Sequence, residues 1–201
     1  RVGVLNYTYG TNGLKAAKPT IVNYIDTAQM RLDIEKTKRE NLDQLIVVTH
    51  WGMEYQTSPN KNQIKIAQFL LDKGANMVIG GHPHVIQKAI WKKDENQLIA
   101  YSLGNFVSNQ ASVNTDGGMM LELKLVKEGN KVKIKEPGYH LIWVHKPNIN
   151  GKKSYEIIPC NLYEYDKKIM NETNRSRMNL FIKNARKIMS QNENIPEIQL
   201  R

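Results

Sequence analysis

Residues 80–87 read Gly80-Gly81-His82-Pro83-His84-Val85-Ile86-Gln87, directly after the apolar run Asn76-Met77-Val78-Ile79. The run reads as a buried strand, and the glycines behind it let backbone come close to whatever the following loop holds. In extended backbone the side chains at i and i+2 leave on the same side. His82 and His84 are therefore expected to aim at one point, with Pro83 stiffening the link between them. Neutral imidazole is the commonest protein ligand for zinc and also suits iron and other transition metals. Two readings stand at this point: a pair of surface histidines in a turn, or part of a metal site. The surrounding chain must decide between them.

Upstream, residues 62–73 keep Ile64, Ala67, Leu70 and Leu71 at helical spacing, and Gly74 stands where a C-terminal cap belongs. Before that, Leu45-Ile46-Val47-Val48 is a continuous apolar run, the pattern of a strand buried on both faces, and it ends at Thr49-His50-Trp51-Gly52. Asp26-Thr27-Ala28-Gln29 carries a capping-box signature, which predicts a helix from there to about residue 41. Residues 2–7 read as a short strand entering Tyr7-Thr8-Tyr9-Gly10-Thr11-Asn12-Gly13, whose glycines and asparagine allow left-handed turns. The order β-α-β-α-β predicts a parallel sheet covered by helices, with ligand residues beyond the carboxyl ends of its strands. His50 and the His82/His84 pair both fall there.

Downstream the period changes. Residues 86–91 and 98–103 about Asp94-Glu95-Asn96, then 119–126 and 132–134 about Glu128-Gly129-Asn130, read as β-hairpins. Residues 139–144 and 155–158 are expected to be further strands. Residues 171–189 turn helical, with Met178, Phe181, Ile182, Ala185 and Ile188 on one stripe that suits packing on the sheets. The loop Tyr101-Ser102-Leu103-Gly104-Asn105-Phe106-Val107-Ser108-Asn109-Gln110 is rich in amides and hydroxyls that can orient a ligand. Its plainer reading is a polar loop bent at Gly104.

At 201 residues, 40% hydrophobic and 24% charged, the chain suits a globular domain with a real core. No apolar run approaches the roughly 20 residues that span a bilayer. Arg1 is followed at once by the strand-like Val2-Gly3-Val4-Leu5, which raises the expectation of a piece of a longer protein. The single cysteine, Cys160, excludes an internal disulfide and reads as a small buried residue rather than a nucleophile. The net charge of +10 suits a polyanionic partner, yet the 29 Lys and Arg are scattered and not clustered, so nucleic acid is not an expected partner. A GxxxxGK phosphate loop is missing from the sequence.

Three stretches then combine: Thr49-His50-Trp51-Gly52-x-Glu54-Tyr55; Gly74-Ala75-x-x-Val78-Ile79-Gly80-x-His82-Pro83-His84-Val85-x-Gln87; and Tyr101-Ser102-Leu103-Gly104-Asn105-Phe106-Val107. Together they resemble the bacterial capsule synthesis CapA family, also called the poly-γ-glutamate synthesis accessory proteins, within the calcineurin-like metallophosphatase superfamily. The loop of residues 7–13 fits as well, and the resemblance covers roughly residues 1 to 160. It implies an α/β fold, the C-terminal part of a metallophosphatase-like αββα sandwich with β-hairpins and a C-terminal helical tail. Residues 1–160 would be that part of the domain, and 161–201 the tail packing on it.

For the site, the resemblance implies His50, His82 and His84 as metal ligands and catalytic residues, the first two serving one metal and His84 another. The metals would be divalent (Mn, Fe or Zn), two in the intact protein. Trp51, Glu54, Asn105, Gln110, Tyr9 and Asn12 are candidates for contacting substrate or holding the ligands. The aspartates and the Asn-His pair that the family draws from its first half do not occur before His50. Metal is therefore expected to be held weakly or not at all by this chain, and the chain alone to be inactive.

The implied function is biosynthesis of capsule or another poly-γ-glutamate-type polyanion, with metal-assisted hydrolysis or transfer. The alternatives are a non-catalytic polymer-binding or export accessory protein and a general metallophosphodiesterase. The expected partners are the missing N-terminal part of the same protein, an anionic polymer or phosphoester, or further copies of the chain. The implied location is outside the cytoplasm, membrane-anchored in the full-length protein.

Overall fold

A computed structural model of the chain describes residues 1–166, 168, 170–191 and 194–200. The apolar runs form strands β1 (Val2–Thr8), β2 (Gln44–His50) and β3 (Met77–Gly81), and the first hairpin forms β4 (Ala89–Lys92) and β5 (Gln97–Ala100). Their order in one sheet is β1-β2-β3-β5-β4. β1, β2, β3 and β5 are parallel, and β4 runs antiparallel to β5.

Helices α1 (Thr27–Thr37) and α2 (Lys61–Lys73) are the crossovers between the parallel strands. Met30 and Ile34 of α1 and Ala67, Leu70 and Leu71 of α2 bury against Leu45, Val47, Val78 and Ile99 of the sheet. The Asp26 carboxylate accepts from the amides of Ala28 and Gln29 and so starts α1, but the Gln29 side chain turns to Asp33 and leaves that capping box half made. The complete box belongs to α2, where the Asn60 side chain accepts from the Gln63 amide and the Gln63 side chain accepts from the Asn60 amide. The buried face of α2 differs from the expected stripe by one position. Ile64 is 44% exposed, while Gln63 is buried because its amide has a partner inside.

A second sheet of β6 (Gly117–Glu128), β7 (Lys131–His145) and β10 (Glu156–Pro159) is antiparallel in the order β10-β7-β6, with a small hairpin of β8 (Asn148–Ile149) and β9 (Lys152–Lys153) before its last strand. The strand expected at 139–144 is the continuation of β7 past an irregularity opposite Glu122 and Lys124, where Glu136 takes a φ of 48°. A short helix α3 (Cys160–Tyr163) and the long α4 (Glu172–Met189) follow. Met178, Phe181, Ile182 and Ala185 of α4 join Tyr139, Leu141 and Trp143 of β7, and Met77, Leu98 and Ala100 of the first sheet, in one core. Arg186 binds the carboxylates of Glu164 and Glu197, which ties the segment after α4 to the turn after α3. Lys167, Ile169, Asn192, Glu193 and Arg201 of the expected tail lie outside the described residues.

The chain is thus α/β, two sheets with helices packed on them, as expected. Burial of β2 on both faces is not what the sheet shows. Leu45 and Val47 are buried under the helices, but Ile46 and Val48 on the opposite face are half-buried, and their neighbours Val2 and Val4 are 49% and 62% exposed. The second sheet packs over Met77, Leu98 and Ala100. Among the described residues no helix is long and apolar enough to cross a membrane.

Candidate metal centre

Parallel pairing fixes where the three loops emerge. Thr8 of β1 pairs with His50 of β2, and His50 pairs with Gly81 of β3, so all three strands end on one line. The residues just beyond that line must therefore meet. The ring centroids of Tyr9 and His82 are 4.4 Å apart, those of His50 and His82 4.7 Å, and those of His82 and His84 6.0 Å.

The two histidines of the deciding stretch do not converge by extended alternation. His82 has φ 95° and His84 φ 60°, left-handed backbone on either side of Pro83. L-residues avoid that region, and each such position stores about 1–3 kcal/mol of strain. The turn is pinned from outside: the Tyr55 amide donates to the Pro83 carbonyl at 2.8 Å, and the Trp51 amide to the Gly81 carbonyl at 3.1 Å. Gly80 lies within β3 rather than in a turn. A Cβ there would stand 2.0 Å from the Tyr101 carbonyl oxygen and 2.4 Å from the Trp51 indole nitrogen.

That indole nitrogen donates to the Tyr101 carbonyl at 2.9 Å, and the Trp51 ring is 2% exposed. Trp51 is thus a core residue that anchors the loop after β2. Of the two roles expected for Trp51, contacting substrate or holding the ligands, this burial favours the second.

Glu54, on the anchored loop, swings back over the histidines. Ligand atoms of Glu54, His82 and His84 all lie within 4.8 Å of one another, and His84 Nε2 is 3.9 Å from Glu54 Oε1. These three form a group able to hold a metal ion. The resemblance divides the imidazoles otherwise, with His50 beside His82 as ligands of one metal. In the structure His50 stands against His82 but outside the group of three, which Glu54 completes.

The orientation of His84 follows from its neighbours. The Asn105 amide nitrogen donates to the Gln110 side-chain oxygen at 3.0 Å and to the Thr115 carbonyl at 2.8 Å. Its oxygen therefore faces His84 Nδ1, 2.9 Å away, and can only accept. His84 thus carries a proton on Nδ1 and turns Nε2 toward Glu54, and an imidazole held in this way offers Nε2 to a metal. Asn105 and Gln110 serve as positioning residues. Tyr9 and Asn12 form the other wall: the Tyr9 hydroxyl donates to Asn12 Oδ1 at 2.9 Å while its ring lies on His50 and His82.

Burial, then the neighbouring imidazoles, hold His50 and His82 below the usual histidine range; at His82 the Glu54 charge opposes this in part. Both are neutral at pH 7, with lone pairs available. Burial and Glu54 push the Tyr55 phenol up, so it stays protonated beside His84, their ring centroids 6.1 Å apart. A cavity of about 740 Å³ opens beside His50, walled by Val48, Ile79, Leu103, Phe106 and Met120.

One positioning group was not visible in the sequence. Gln87 is fully buried; its oxygen accepts from the Gln63 amide at 2.8 Å, and its nitrogen donates to the Gln56 and Ser58 carbonyls at 2.8 and 3.1 Å. It ties α2 to the loop that carries Glu54. Periodicity assigns such a residue to no face, and its place beside the His-x-His stretch was the available signal. Gln87→Leu is expected to lower stability by about 2–3 kcal/mol by stranding buried polar groups. A denaturant midpoint equal to that of the unaltered chain would show that the network carries no load.

Residues 1–110 match the family model described as bacterial capsule synthesis protein PGA_cap, a span that contains every residue of the group and its Asn105 support. The chain is similar to a capsule biosynthesis protein CapA of Bacillus anthracis, 36% identical over 128 residues, which are 63% of this chain and 25% of that protein. It is also similar to a PGA biosynthesis protein CapA of Bacillus subtilis (strain 168), 35% identical over 91 residues, 45% of this chain and 23% of that protein. The chain thus spans about a quarter of the length of the curated relatives it matches.

Proposed function

The chain belongs to the bacterial capsule synthesis family, and from that premise we propose that it serves the biosynthesis of an acidic capsule polymer through a divalent-metal site held by Glu54, His82 and His84. The observation that carries the reading is the Asn105 amide, which engages His84 Nδ1 and leaves Nε2 facing Glu54. Two imidazoles and one carboxylate suit Mn, Fe or Zn. A cation held there would act as a Lewis acid on a phosphoryl or carbonyl oxygen.

The protein's own residues do the rest. On this reading His50, neutral at pH 7 and 4.7 Å from His82 between ring centroids, would take a proton from the attacking group. Tyr9 fixes the His50 and His82 rings, and the apolar groove beside His50 holds the backbone of a long substrate. The bond attacked would be an amide or phosphoester of the polymer. On this reading the protein acts outside the cytoplasm, held at the membrane.

A second reading keeps the metal and the polymer but not the turnover. Glu54 is 48% exposed at its side chain, and three ligand atoms make a weak site better suited to holding a polyanion through a bridging cation. Hydrolysis of a γ-glutamyl amide or a nitrophenyl phosphate would exclude it.

Calorimetric titration with Mn²⁺ and Zn²⁺ tests the site itself. One ion per chain is expected. Affinity should fall as the pH drops below the usual histidine range, where protons compete for His82, which burial and the neighbouring imidazoles hold below that range. Asn105→Ala should weaken binding by roughly 10–100-fold, as the loss of a group behind a ligand does. Equal affinity in that variant would remove the basis of the reading.

A further inference from the structure

Away from the histidines, a cavity of about 200 Å³ is lined by Asp116, Trp143, Lys146, Lys153, Asn174 and Arg177 among others. The sequence shows no cluster of basic residues here, because the three cations come from just after β7, from β9 and from α4. They face one carboxylate, Asp116, which is 4% exposed and bound by Arg177 at 3.0 Å. Lys146 and Lys153 form no ion pair among the described residues. Their amines are held by oxygens of the loop after β5: Lys153 by Asn109 Oδ1 at 2.9 Å and Lys146 by the Gln110 carbonyl. Arg177 also grips the Ala111 carbonyl.

Two features exceed what anchoring a loop requires. The Trp143 ring is 3% exposed, and its indole N–H is buried without a hydrogen-bond partner among the described residues. Such an orphaned donor is costly unless something accepts from it. The cations also oppose one another. Burial, Arg177 and Lys153 all press the Lys146 amine toward its neutral form, and Asp116 relieves this only in part. An oxyanion in the cavity would compensate Lys146 and Lys153, beside the Trp143 ring that lines the same cavity.

We propose that this cavity is a subsite for a carboxylate of an acidic chain, a proposal that rests on the acidic-polymer reading given above. Asp116 makes a dianion such as phosphate a poorer occupant than a single carboxylate, because like charges would be brought together. The position relative to the metal centre fits a long ligand. Residues 109–111 form the wall gripped by the three cations, and Gln110 from that wall orients Asn105, which orients His84. A polymer that enters the groove beside His50 would be held by one of its carboxylates on the far side of that loop.

The test uses the indole N–H signals of the whole chain in a proton–nitrogen correlation spectrum. Trp143→Phe identifies which of the three tryptophan signals is Trp143. A trimer of γ-linked glutamate is expected to shift that signal saturably and to leave the Trp51 signal, committed to Tyr101, in place. Lys146→Gln and Lys153→Gln should each weaken the trimer about 10-fold, and inorganic phosphate should bind less tightly than the trimer. Glu54→Gln should lose metal yet keep the trimer-induced shift, so that a failed metal reading and a failed subsite are told apart. No saturable shift at Trp143, unchanged affinity in both lysine variants, or phosphate bound more tightly than the trimer would each overturn the proposal.

Discussion

Replacing His84 with asparagine is expected to abolish metal binding while leaving the fold intact. Asparagine is among the residues that best tolerate left-handed backbone, so the φ of 60° at this position survives the change. What is lost is the Nε2 atom that faces Glu54 at 3.9 Å. His82 and Glu54 alone leave two ligand atoms, too few for a protein metal site of ordinary affinity. The loss should exceed the roughly 100-fold upper end for groups that merely orient a ligand. Calorimetry with Mn²⁺ or Zn²⁺, beside a thermal melt of the same sample, separates the two effects. Undiminished affinity in a folded variant would place the metal elsewhere.

Gly80→Ala is expected to be the most damaging small change in the first sheet. The added carbon would stand 2.0 Å from the Tyr101 carbonyl oxygen, and neither β3 nor the segment after β5 can yield. Strand β3 is paired on both sides, to β2 and β5, and the Leu103 amide donates to the Gly80 carbonyl at 3.1 Å. Forcing the strands apart also breaks the Trp51–Tyr101 hydrogen bond. Overpacking typically costs about 1–3 kcal/mol, and a contact this close belongs at the upper end. Gly81 next door is the control, since a carbon added there meets nothing within 4 Å. Equal denaturation midpoints for Gly80→Ala and Gly81→Ala would refute the close-approach account.

The sequence made the sheet readable because three apolar runs alternate with two helical patterns, and parallel pairing then leaves little choice about where their loops emerge. His50 and the His82/His84 pair could be assigned to one edge for that reason alone. Several parts of the site were beyond such reading. The left-handed turns at His82 and His84 depend on contacts to Trp51 and Tyr55 from another loop. Glu54 enters the group because that loop folds back, a tertiary event with no local signature. Gln63 and Gln87 look like surface residues until each is found to satisfy the other. A run of branched residues looks the same whether its second face is packed or open, so the half-covered face of β2 has no signature in the sequence.

The left-handed histidines carry a lesson for anyone evolving this chain in the laboratory. Glycine at position 82 or 84 would relieve backbone strain worth about 1 kcal/mol or more each. A library selected for heat resistance alone would therefore drift away from imidazole at the very positions that supply ligand atoms. Selection for folding and selection for metal pull in opposite directions at these two codons, so histidines that persist under metal-dependent selection and vanish under thermal selection would separate the two pressures.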